Sequence, residues 1–312
     1  MLSPLHLRTF SVVMRLGSFA AAGRELGYTG SAVSQQISAL ESETGLALFE
    51  RYGHTIRATQ SAQLLSERAG ETLGALKALE QAVGEMATGT RGRLGLGSFP
   101  TASEVLIPAV LGRFSRAFPD IEVRFHDGEP ETLVPRLLEG DLDLLVSYRY
   151  DLVPRGWPAA VHRTHLMAED LRLLVPPTYQ TAGGDVALSD FAEAPWISTL
   201  EESAGTVAVE RACAAAGFSP RIIYRTNDYD VIASFVLAGL GVAAVPLLAY
   251  SSRADLSIVS PAGLTVRRHI ELLTVKGSTN PAVEALSDTL KAEAAKLASR
   301  HASRRLPDQA EL

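Results

Sequence analysis

Residues 31–41, SAVSQQISALE, are the stretch of this sequence that decides its fold. Val33, Ile37 and Leu40 recur at intervals of four and three residues, which predicts a helix with one apolar face. The other face carries uncharged polar side chains, those of Ser31, Ser34, Gln35 and Ser38. Such side chains allow close approach to the major groove of DNA, where Gln reads adenine and Ser contacts bases or phosphates. The alternative is an ordinary polar surface.

Two further helices are predicted before this one. Pro4 is typical of the first turn of a helix, and Gly17 is typical of the position just after one. Ser18 is a natural N-cap for a second helix over residues 19–26, which Gly27 ends. Three helices within the first 45 residues, joined by turns that contain glycine, have the dimensions of a helix-turn-helix domain.

Residues 48–59 predict a β-hairpin with a turn at residues 52–54. A hairpin in this place acts as a wing and brings Arg51, His54 and Arg57 beside the phosphate backbone of DNA, with Thr59 at its end. The alternative is a surface hairpin with two ordinary arginines.

Residues 60–88 predict one long helix, about 43 Å from end to end. Apolar residues recur in it every three or four positions, at Leu65, Ala69, Leu73, Leu76, Leu79 (or Glu80), Val83 and Met86. Because so thin a rod cannot bury an apolar stripe alone, we expect it to pair with the same helix of a second copy.

Beyond residue 91 the pattern changes to alternating strands and helices. Strands are predicted at 93–98, 121–126, 142–147, 171–175, 221–225, 242–245 and 270–275, with a loop at 195–197. Helices are predicted at 102–118, 131–139, 206–216, 229–238 and 281–299. This order predicts an α/β domain with a mainly parallel sheet.

Composition and motifs exclude several classes of protein. The chain has 312 residues, a 46% hydrophobic fraction, a formal net charge of −6 and one cysteine, which together indicate about two ordinary globular domains without a disulfide framework. No apolar stretch near 20 residues long occurs, so we expect a cytoplasmic protein with no membrane partner. Residues 239–244 match a dinucleotide fingerprint, but they lead from a helix into a strand, the reverse of the required order. No catalytic set and no metal site are evident, so we expect neither an enzyme nor a bound cofactor.

Several segments closely resemble the LysR-type transcriptional regulators. They include LRTF at residues 7–10, GSFAAA at 17–22, SAVSQQI at 31–37 and LFER at 48–51. Later segments agree, among them LDL at 142–144, PWI at 195–197 and GLGV at 239–242. Several positions depart from the usual pattern: Gly30 stands where the family commonly has Gln, and Gln35 where it often has Arg. After the wing, the family usually has Leu-Thr and then a Gly two or three residues on, where this chain has Ala58, Thr59 and Ala62.

The resemblance implies an architecture. It is a winged helix-turn-helix at residues 1–59, a linker helix at 60–88 that dimerises, and a two-lobed effector domain of the periplasmic-binding-protein type at 91–300. Lobe I would take about residues 91–162 and 266–300, lobe II about 163–265, and residues 301–312 would form a tail. The implied partners are double-stranded promoter DNA, a second copy in a homodimer, further copies in a homotetramer, a small-molecule effector and RNA polymerase.

Ligands of two-lobed α/β domains lie in the crevice beyond the carboxyl ends of the strands. Polar residues in the corresponding loops are Ser98, Thr101, Ser147, Arg149, Thr199 and Asn227. In the resembling family, positions matching Thr101 and Thr199 contact the effector. Helix N-termini together with Arg149 would favour a small carboxylate, whereas the alternative is a set of ordinary loop caps with a solvated arginine.

Overall fold

A computed structural model describes residues 2–52, 55–88, 92–179, 186–250, 256–276 and 280–303. Its N-terminal head contains the helices α1 (Pro4–Leu16), α2 (Phe19–Leu26) and α3 (Gly30–Thr44), followed by the antiparallel strands β1 (Phe49–Tyr52) and β2 (Thr55–Ala58). Gly17, Gly27 and Gly45 end the three helices in the left-handed conformation. The predicted winged helix-turn-helix is confirmed.

The long helix α4 (Gln60–Thr88) buries most apolar residues of its first half and exposes those further along. Ala62, Ala69 and Leu73 are buried in the head, in the same core as Phe10 and Ile37. Leu79 and Val83, further along the helix, are more than half exposed, and so is Leu64. The predicted stripe therefore packs within the chain at Leu65, Ala69 and Leu73 and continues as an exposed apolar surface at Leu79 and Val83, because Val83 lies about five turns beyond Leu65 on the same face.

The remaining chain forms two lobes. Its elements in order are β3 (Arg93–Ser98), α5 (Pro100–Val105), α6 (Ile107–Ala117), β4 (Glu122–Asp127), α7 (Pro130–Leu138), β5 (Leu144–Tyr150), β6 (Val161–Val175), β7 (Pro195–Ser198), α8 (Ala204–Ala215), β8 (Arg221–Arg225), α9 (Tyr229–Leu237), β9 (Ala243–Pro246), β10 (Ser257–Val259), β11 (Arg267–Val275) and α10 (Pro281–Ser303). The single helix expected at 102–118 is two helices, because Pro108 has no N–H to continue the first one.

The main sheet is mixed, so the expectation of a mainly parallel sheet is wrong. Its order is β10-β6-β11-β5-β3-β4, with β9 also paired to β6. Only β3 pairs in parallel fashion, with β4 and β5, whereas β6 and β11 are antiparallel to their neighbours. The expected loop at 195–197 is β7, which pairs in parallel with β8 in a separate sheet.

Strand β6 belongs to both lobes. Its first part, to Asp170, pairs with β11, and its last part, from Leu171, pairs with β9 and β10. Buried side chains pack on both sides of the first lobe's sheet, one group beneath α6 and α10 and the other beneath α7. The second lobe has its own core around Trp196, Val209 and Phe191. The crevice between the lobes therefore opens where β5, β6 and β11 pass from one to the other.

Helix α7 connects the head with the first lobe. At its C-terminal end, Arg15 of α1 pairs with Glu25 of α2 and has its Nε 3.6 Å from Oε1 of Glu139. Next to this contact, Gly70 of α4 lies against the backbone of Leu138, where an added Cβ would come within 3.3 Å of the carbonyl oxygen. The N-terminal end of α7 lies at the crevice.

Candidate functional site

Helix α3 presents the polar face that its sequence predicted. Val33, Ile37 and Leu40 are buried in the head and fix the helix against α1 and α2. On the opposite side Ser31, Gln35 and Ser38 are exposed and Ser34 is half-buried. The helix can therefore approach a groove closely without having to remove a charged side chain from water.

The start of α3 is held by features that the sequence patterns did not reveal. The hydroxyl of Thr29 accepts a hydrogen bond from the backbone N of Ala32 at 3.2 Å, so Thr29 is the N-cap. A Cβ on Gly30 would lie 3.3 Å from Cα of Ala20, which explains why a small residue occupies this close contact between α2 and α3. Tyr28, just before the cap, is exposed and adds an aromatic hydroxyl to the surface.

The wing is fixed on α3 by one carboxylate. Oε1 of Glu41 accepts hydrogen bonds from the backbone N of Leu48 at 2.8 Å and of Phe49 at 3.3 Å. Arg57 is exposed on β2, and Glu50 stands directly opposite it on β1. The wing therefore carries a cation whose charge a neighbouring carboxylate partly offsets.

Three other predicted DNA contacts have different outcomes. Arg51 lies in β1, but its side chain is outside the described part of the molecule, and so is the whole of His54. Thr59 is the residue before α4. Its hydroxyl donates to the carbonyl oxygen of Ala47 at 2.8 Å and accepts from the backbone N of Ala62 at 3.2 Å. The structure thus gives Thr59 the role of a helix cap.

A buried ion pair lies at the base of the crevice. Nε of Arg268, in β11, donates to Oε1 of Glu169, in β6, at 2.7 Å, and Nη2 is 2.6 Å from the same oxygen. Nη2 also donates to the hydroxyl of Thr101 at 2.8 Å. Both charged side chains are almost wholly buried. Burial by itself lowers the pKa of Arg268, but Glu169 raises it, and the net shift is upward, so the guanidinium stays charged.

Aromatic rings surround this pair. The guanidinium carbon of Arg268 lies 4.9 Å from the ring centre of Phe99 and 5.3 Å from that of Tyr148. The hydroxyl of Tyr150 interacts with Arg268 and with Tyr229 of the second lobe. Burial raises the pKa of all three tyrosines, so each hydroxyl stays protonated. The base of the crevice is therefore electrically neutral and rich in tyrosine.

Glu129 is the N-cap residue of α7 and lies at the crevice side of the first lobe. The hydroxyl of Tyr148 donates to its Oε2 at 2.7 Å. Its carboxylate also acts electrostatically on Tyr229, across the crevice. Burial raises the pKa of Glu129, with a further upward contribution from Glu131 and an opposing one from Arg268.

The second lobe contributes hydroxyl groups. Thr199 Oγ1 lies 2.5 Å from the hydroxyl of Ser203 and 2.9 Å from that of Thr206, which also contacts Ser198 at 2.9 Å. Asn227 Oδ1 accepts from the backbone N of Leu200 at 3.1 Å and holds this loop in place. A small half-open cavity adjoins these groups. Its lining consists of Tyr150, Leu171, Ser198, Thr199, Gly205, Tyr229, Ile232, Ala244 and Pro246.

The expectation that Arg149 joins Thr101 and Thr199 is wrong. Successive side chains of a strand point to opposite faces, and Tyr148 and Tyr150 of β5 take the crevice face. Nε of Arg149 donates instead to Oε1 of Glu271 at 3.1 Å on the other face. Ser147 is on that face as well, fully buried opposite Glu271 in the sheet. Ser98 is also fully buried, and its hydroxyl is 3.4 Å from the carbonyl oxygen of Phe99.

Other chemistry is limited within the described residues. The thiol of Cys213 is buried, and burial raises its pKa to about 12, so a thiolate does not form near neutral pH. In the same residues, no cluster of three or more His, Cys, Asp or Glu side chains is arranged to hold a metal ion. Nor do they include a helix that is long and apolar enough to cross a membrane.

Two family models match the chain. Residues 5–63 match the bacterial regulatory helix-turn-helix protein, lysR family, and residues 87–295 match the LysR substrate binding domain. The second match alone covers more than half of the sequence. The chain belongs to the LysR family of transcriptional regulators. Its head is the DNA-binding domain of such a regulator, and its two lobes are the effector-binding domain.

Curated relatives have the same organisation. The HTH-type transcriptional regulator CbbR of Rhodospirillum rubrum is 27% identical over 308 residues, which cover 94% of this chain and 98% of that protein. The regulator CysB of Haemophilus influenzae is 25% identical over 229 residues, covering 70% of this chain and 68% of that protein. The LysR-type organisation therefore extends over nearly the whole chain.

Solved structures show the same fold. A full-length OxyR variant from Pseudomonas aeruginosa gives a TM-score of 0.63 at 19% identity, covering 93% of this chain and 95% of that one. Full-length CbnR, solved in complex with its target DNA, gives a TM-score of 0.52 at 22% identity, covering 94% of this chain and all of that one. At these identities the likeness concerns the fold alone.

The crevice of this LysR-family regulator contains groups that sequence reasoning missed. They are Arg268, Glu169, Glu129, Tyr148, Tyr150 and Tyr229, together with Phe99. A signal existed for one of them, because Glu129 lies in the short loop between a strand and a helix, at the edge where the sequence placed Thr101 and Thr199. The others lie in strands or at a helix start, where no motif distinguishes them from structural residues.

Proposed function

We propose that two copies of this regulator bind double-stranded promoter DNA through α3 and the wing, and that a small molecule in the crevice changes the promoter response. The observation that carries the DNA-binding part is the exposed, uncharged face of α3 beside Arg57. The DNA complex of CbnR, which has the same fold, supports this arrangement. Direct contacts would come from Ser31, Ser34, Gln35, Ser38 and Arg57.

The exposed apolar surface of α4 supports assembly as a homodimer, since Leu64, Leu79 and Val83 leave large apolar side chains in water within a monomer. Further pairing into a homotetramer and contact with RNA polymerase complete the proposal, as does a location in the cytoplasm, where promoter DNA is found. The regulator needs no cofactor and catalyses no reaction in this proposal. Support for that comes from the matches to a regulatory helix-turn-helix protein and to the LysR substrate binding domain.

A single added charge tests the DNA-binding surface. Operator sequences are first selected from random duplexes with the full-length protein. We expect Ser38→Glu to lower affinity for them at least about 100-fold, because a carboxylate on this face repels the phosphates. Ser299→Glu, which adds the same charge to an exposed position of α10, should bind normally. Fluorescence anisotropy measures both, and unchanged binding by Ser38→Glu would contradict the proposed surface.

The crevice is tested separately with small metabolites. Compounds that raise the Tm of the full-length protein are tested again with Thr199→Val, which removes a hydroxyl but keeps the volume of the side chain. We expect the stabilisation to disappear in Thr199→Val while operator binding persists. Compounds that stabilise both proteins equally would place the effector site elsewhere.

A further inference from the structure

The charges around the crevice indicate what kind of effector it binds, provided that the crevice is the effector site as proposed above. Arg268 and Glu169 neutralise each other at the base, and Arg268 also donates hydrogen bonds to Thr101 and Tyr150. Arg149, the cation on which the expectation of a carboxylate effector rested, lies on the other face of the sheet. Neither Arg268 nor Arg149 is therefore left to hold an anionic effector in the crevice.

Glu129 is the charged group that remains. Its carboxylate accepts from Tyr148, and no ion pair with it occurs among the described residues, whereas Glu131 on the same helix pairs with Arg155. The groups that act on Glu129 are Tyr148 of β5, Glu131 of α7, Asp127 of β4 and Arg268 of β11, and its own charge reaches Tyr229 of α9. Arg225 of β8 lies on the second-lobe side, where its Nη1 donates to the carbonyl oxygen of Thr199 at 3.2 Å and its Nη2 is 3.9 Å from Glu210. On the first-lobe side, Glu129 is a buried carboxylate without an ion-pair partner among the described residues.

The walls of the cavity suit a ligand that carries a positive charge on a hydrocarbon group. Tyr150 and Tyr229 line the cavity with their rings, and Leu171, Ile232 and Pro246 add apolar surface. The faces of aromatic rings attract cations, and apolar walls bury hydrocarbon. Hydroxyl groups of Ser198 and Thr199 can accept hydrogen bonds from an N–H group.

We propose that the effector of this regulator is a small organic cation, whose ammonium group binds the carboxylate of Glu129 while its hydrocarbon part packs between Tyr229 and the apolar wall of the second lobe. The ammonium supplies the cationic partner that Glu129 lacks. Its N–H groups also reach a crevice in which the tyrosine oxygens and the hydroxyls of Ser198 and Thr199 can accept.

The proposal has a definite pH dependence. Because burial raises the pKa of Glu129, its carboxyl group becomes neutral at a higher pH than an exposed glutamate. An ammonium ligand favours the ionised form, so its affinity falls as the pH falls through the pKa of Glu129, and binding releases a proton. A carboxylate ligand has the opposite dependence, because it binds better once Glu129 is neutral.

Three probes with one ring and different charges test the ligand class: benzylammonium, benzoate and benzyl alcohol. Occupancy is read from the rate at which a thiol reagent modifies the full-length Ala244→Cys variant, because Ala244 lines the cavity and is half-buried, whereas the natural Cys213 is buried. Arg163→Cys, an exposed position on the far face of β6, shows any effect of the probes on the reagent itself. We expect benzylammonium to protect the crevice thiol at a concentration about tenfold or more below the other two.

Removing each of two glutamates in turn then identifies the carboxylate that binds the ammonium group. Combined with Ala244→Cys, Glu129→Gln keeps an acceptor for Tyr148 and should reduce the preference for benzylammonium to less than about threefold, and remove its pH dependence. Glu131→Gln removes the same charge from an exposed position on the same helix and should leave the preference unchanged. Equal losses in the two variants would show a general field effect and contradict a direct contact with Glu129.

The outcomes separate this inference from the proposed function. Stronger protection by benzoate than by benzylammonium overturns the cationic effector and leaves the crevice as the effector site. Equal protection by all three probes overturns it also, since charge then plays no part. Failure of every probe to protect the thiol counts against the crevice itself, and both proposals then fail together.

Discussion

The DNA-binding head and the effector crevice present their binding residues in opposite ways. The face of α3 consists of uncharged side chains, exposed except for the half-buried Ser34 and all within about two turns of each other. The crevice has a fully buried ion pair whose partners, Glu169 and Arg268, come from different strands far apart in the chain. The head can meet a new surface with few internal bonds to break. The crevice cannot change without disturbing the lobes that form it.

This difference concerns energy as well as geometry. A residue exposed on a helix contributes little to the stability of the free protein, so its replacement changes binding alone. A buried charge that loses its partner destabilises the whole domain, because the remaining ion is neither hydrated nor paired. Substitutions in the two regions should therefore differ in what they damage, and the following experiments test that distinction.

The largest effect is expected from Arg268→Met, which leaves Glu169 buried and charged. We expect the free energy of unfolding to fall by roughly 3–5 kcal/mol. Adding Glu169→Gln should recover most of this loss, because the amide removes the charge and still accepts from the backbone N of Leu248. Urea unfolding followed by tryptophan fluorescence measures all three proteins. If Arg268→Met alone lowers the free energy of unfolding by less than about 1 kcal/mol, the crevice tolerates substitution as well as the head does.

The next effect concerns the dimer that brings two heads together. Residues 1–60 contain five Arg and four acidic residues, so one head has too little charge to hold DNA alone. Leu79→Asp combined with Val83→Asp should give a monomer and lower operator affinity about 100-fold. Analytical ultracentrifugation and anisotropy measure the two quantities. Leu240→Asp, at an exposed leucine of the second lobe, serves as the control and should remain dimeric.

Gln35→Ala tests whether an exposed residue of the head affects DNA binding without affecting stability. We expect relative affinities for operator variants to change by about 1–3 kcal/mol at one base pair, because the amide reads a base edge. Unfolding should be unaffected, since Gln35 is exposed. Unchanged discrimination among operators would contradict the assignment of this face as the reading surface.

The smallest effect is expected in the wing. Arg57→Ala should weaken binding to all sequences alike and reduce the salt slope of binding by about one charge. Glu50→Gln removes the carboxylate opposite Arg57 and should strengthen binding, with a steeper salt slope. Titrations at several salt concentrations measure both. Slopes that change in the same direction would mean that these two residues do not face the phosphates as a pair.

The sequence predicted the head well because its signals are local. Gly17, Ser18 and Gly27 fix the ends of helices through their own backbone and side-chain chemistry, and the structure places those ends where they were predicted. Thr29 was missed as an N-cap because a glycine follows it rather than a helix former. Arg51 and Arg57 were identified by charge alone, and their roles at DNA remain predictions.

The crevice could not be predicted in this way. The strand expected at 270–275 begins at Arg267 in the structure. Its first three residues, RRH, include no apolar side chain, so the sequence pattern did not mark them as part of a strand. The first ten residues of β6 were missed because HRTHLMAED at 162–170 does not alternate regularly. Arg268 and Glu169 lie in those two missed segments. Arg149 was chosen for its charge, but the alternation of side chains along β5 turns it to the other face.

Helix α7 has one more consequence. Its N-terminal end carries Glu129 at the crevice, and its C-terminal end meets Arg15 of the head at Glu139. Nine helical residues make a stiff element about 14 Å long, so the two ends move as one body. Coupling between two binding equilibria is reciprocal: whatever factor an effector applies to the affinity for DNA, bound DNA applies to the affinity for the effector. The operator is therefore itself a ligand that changes the affinity of the crevice for the effector, and with it the effector concentration to which the regulator responds.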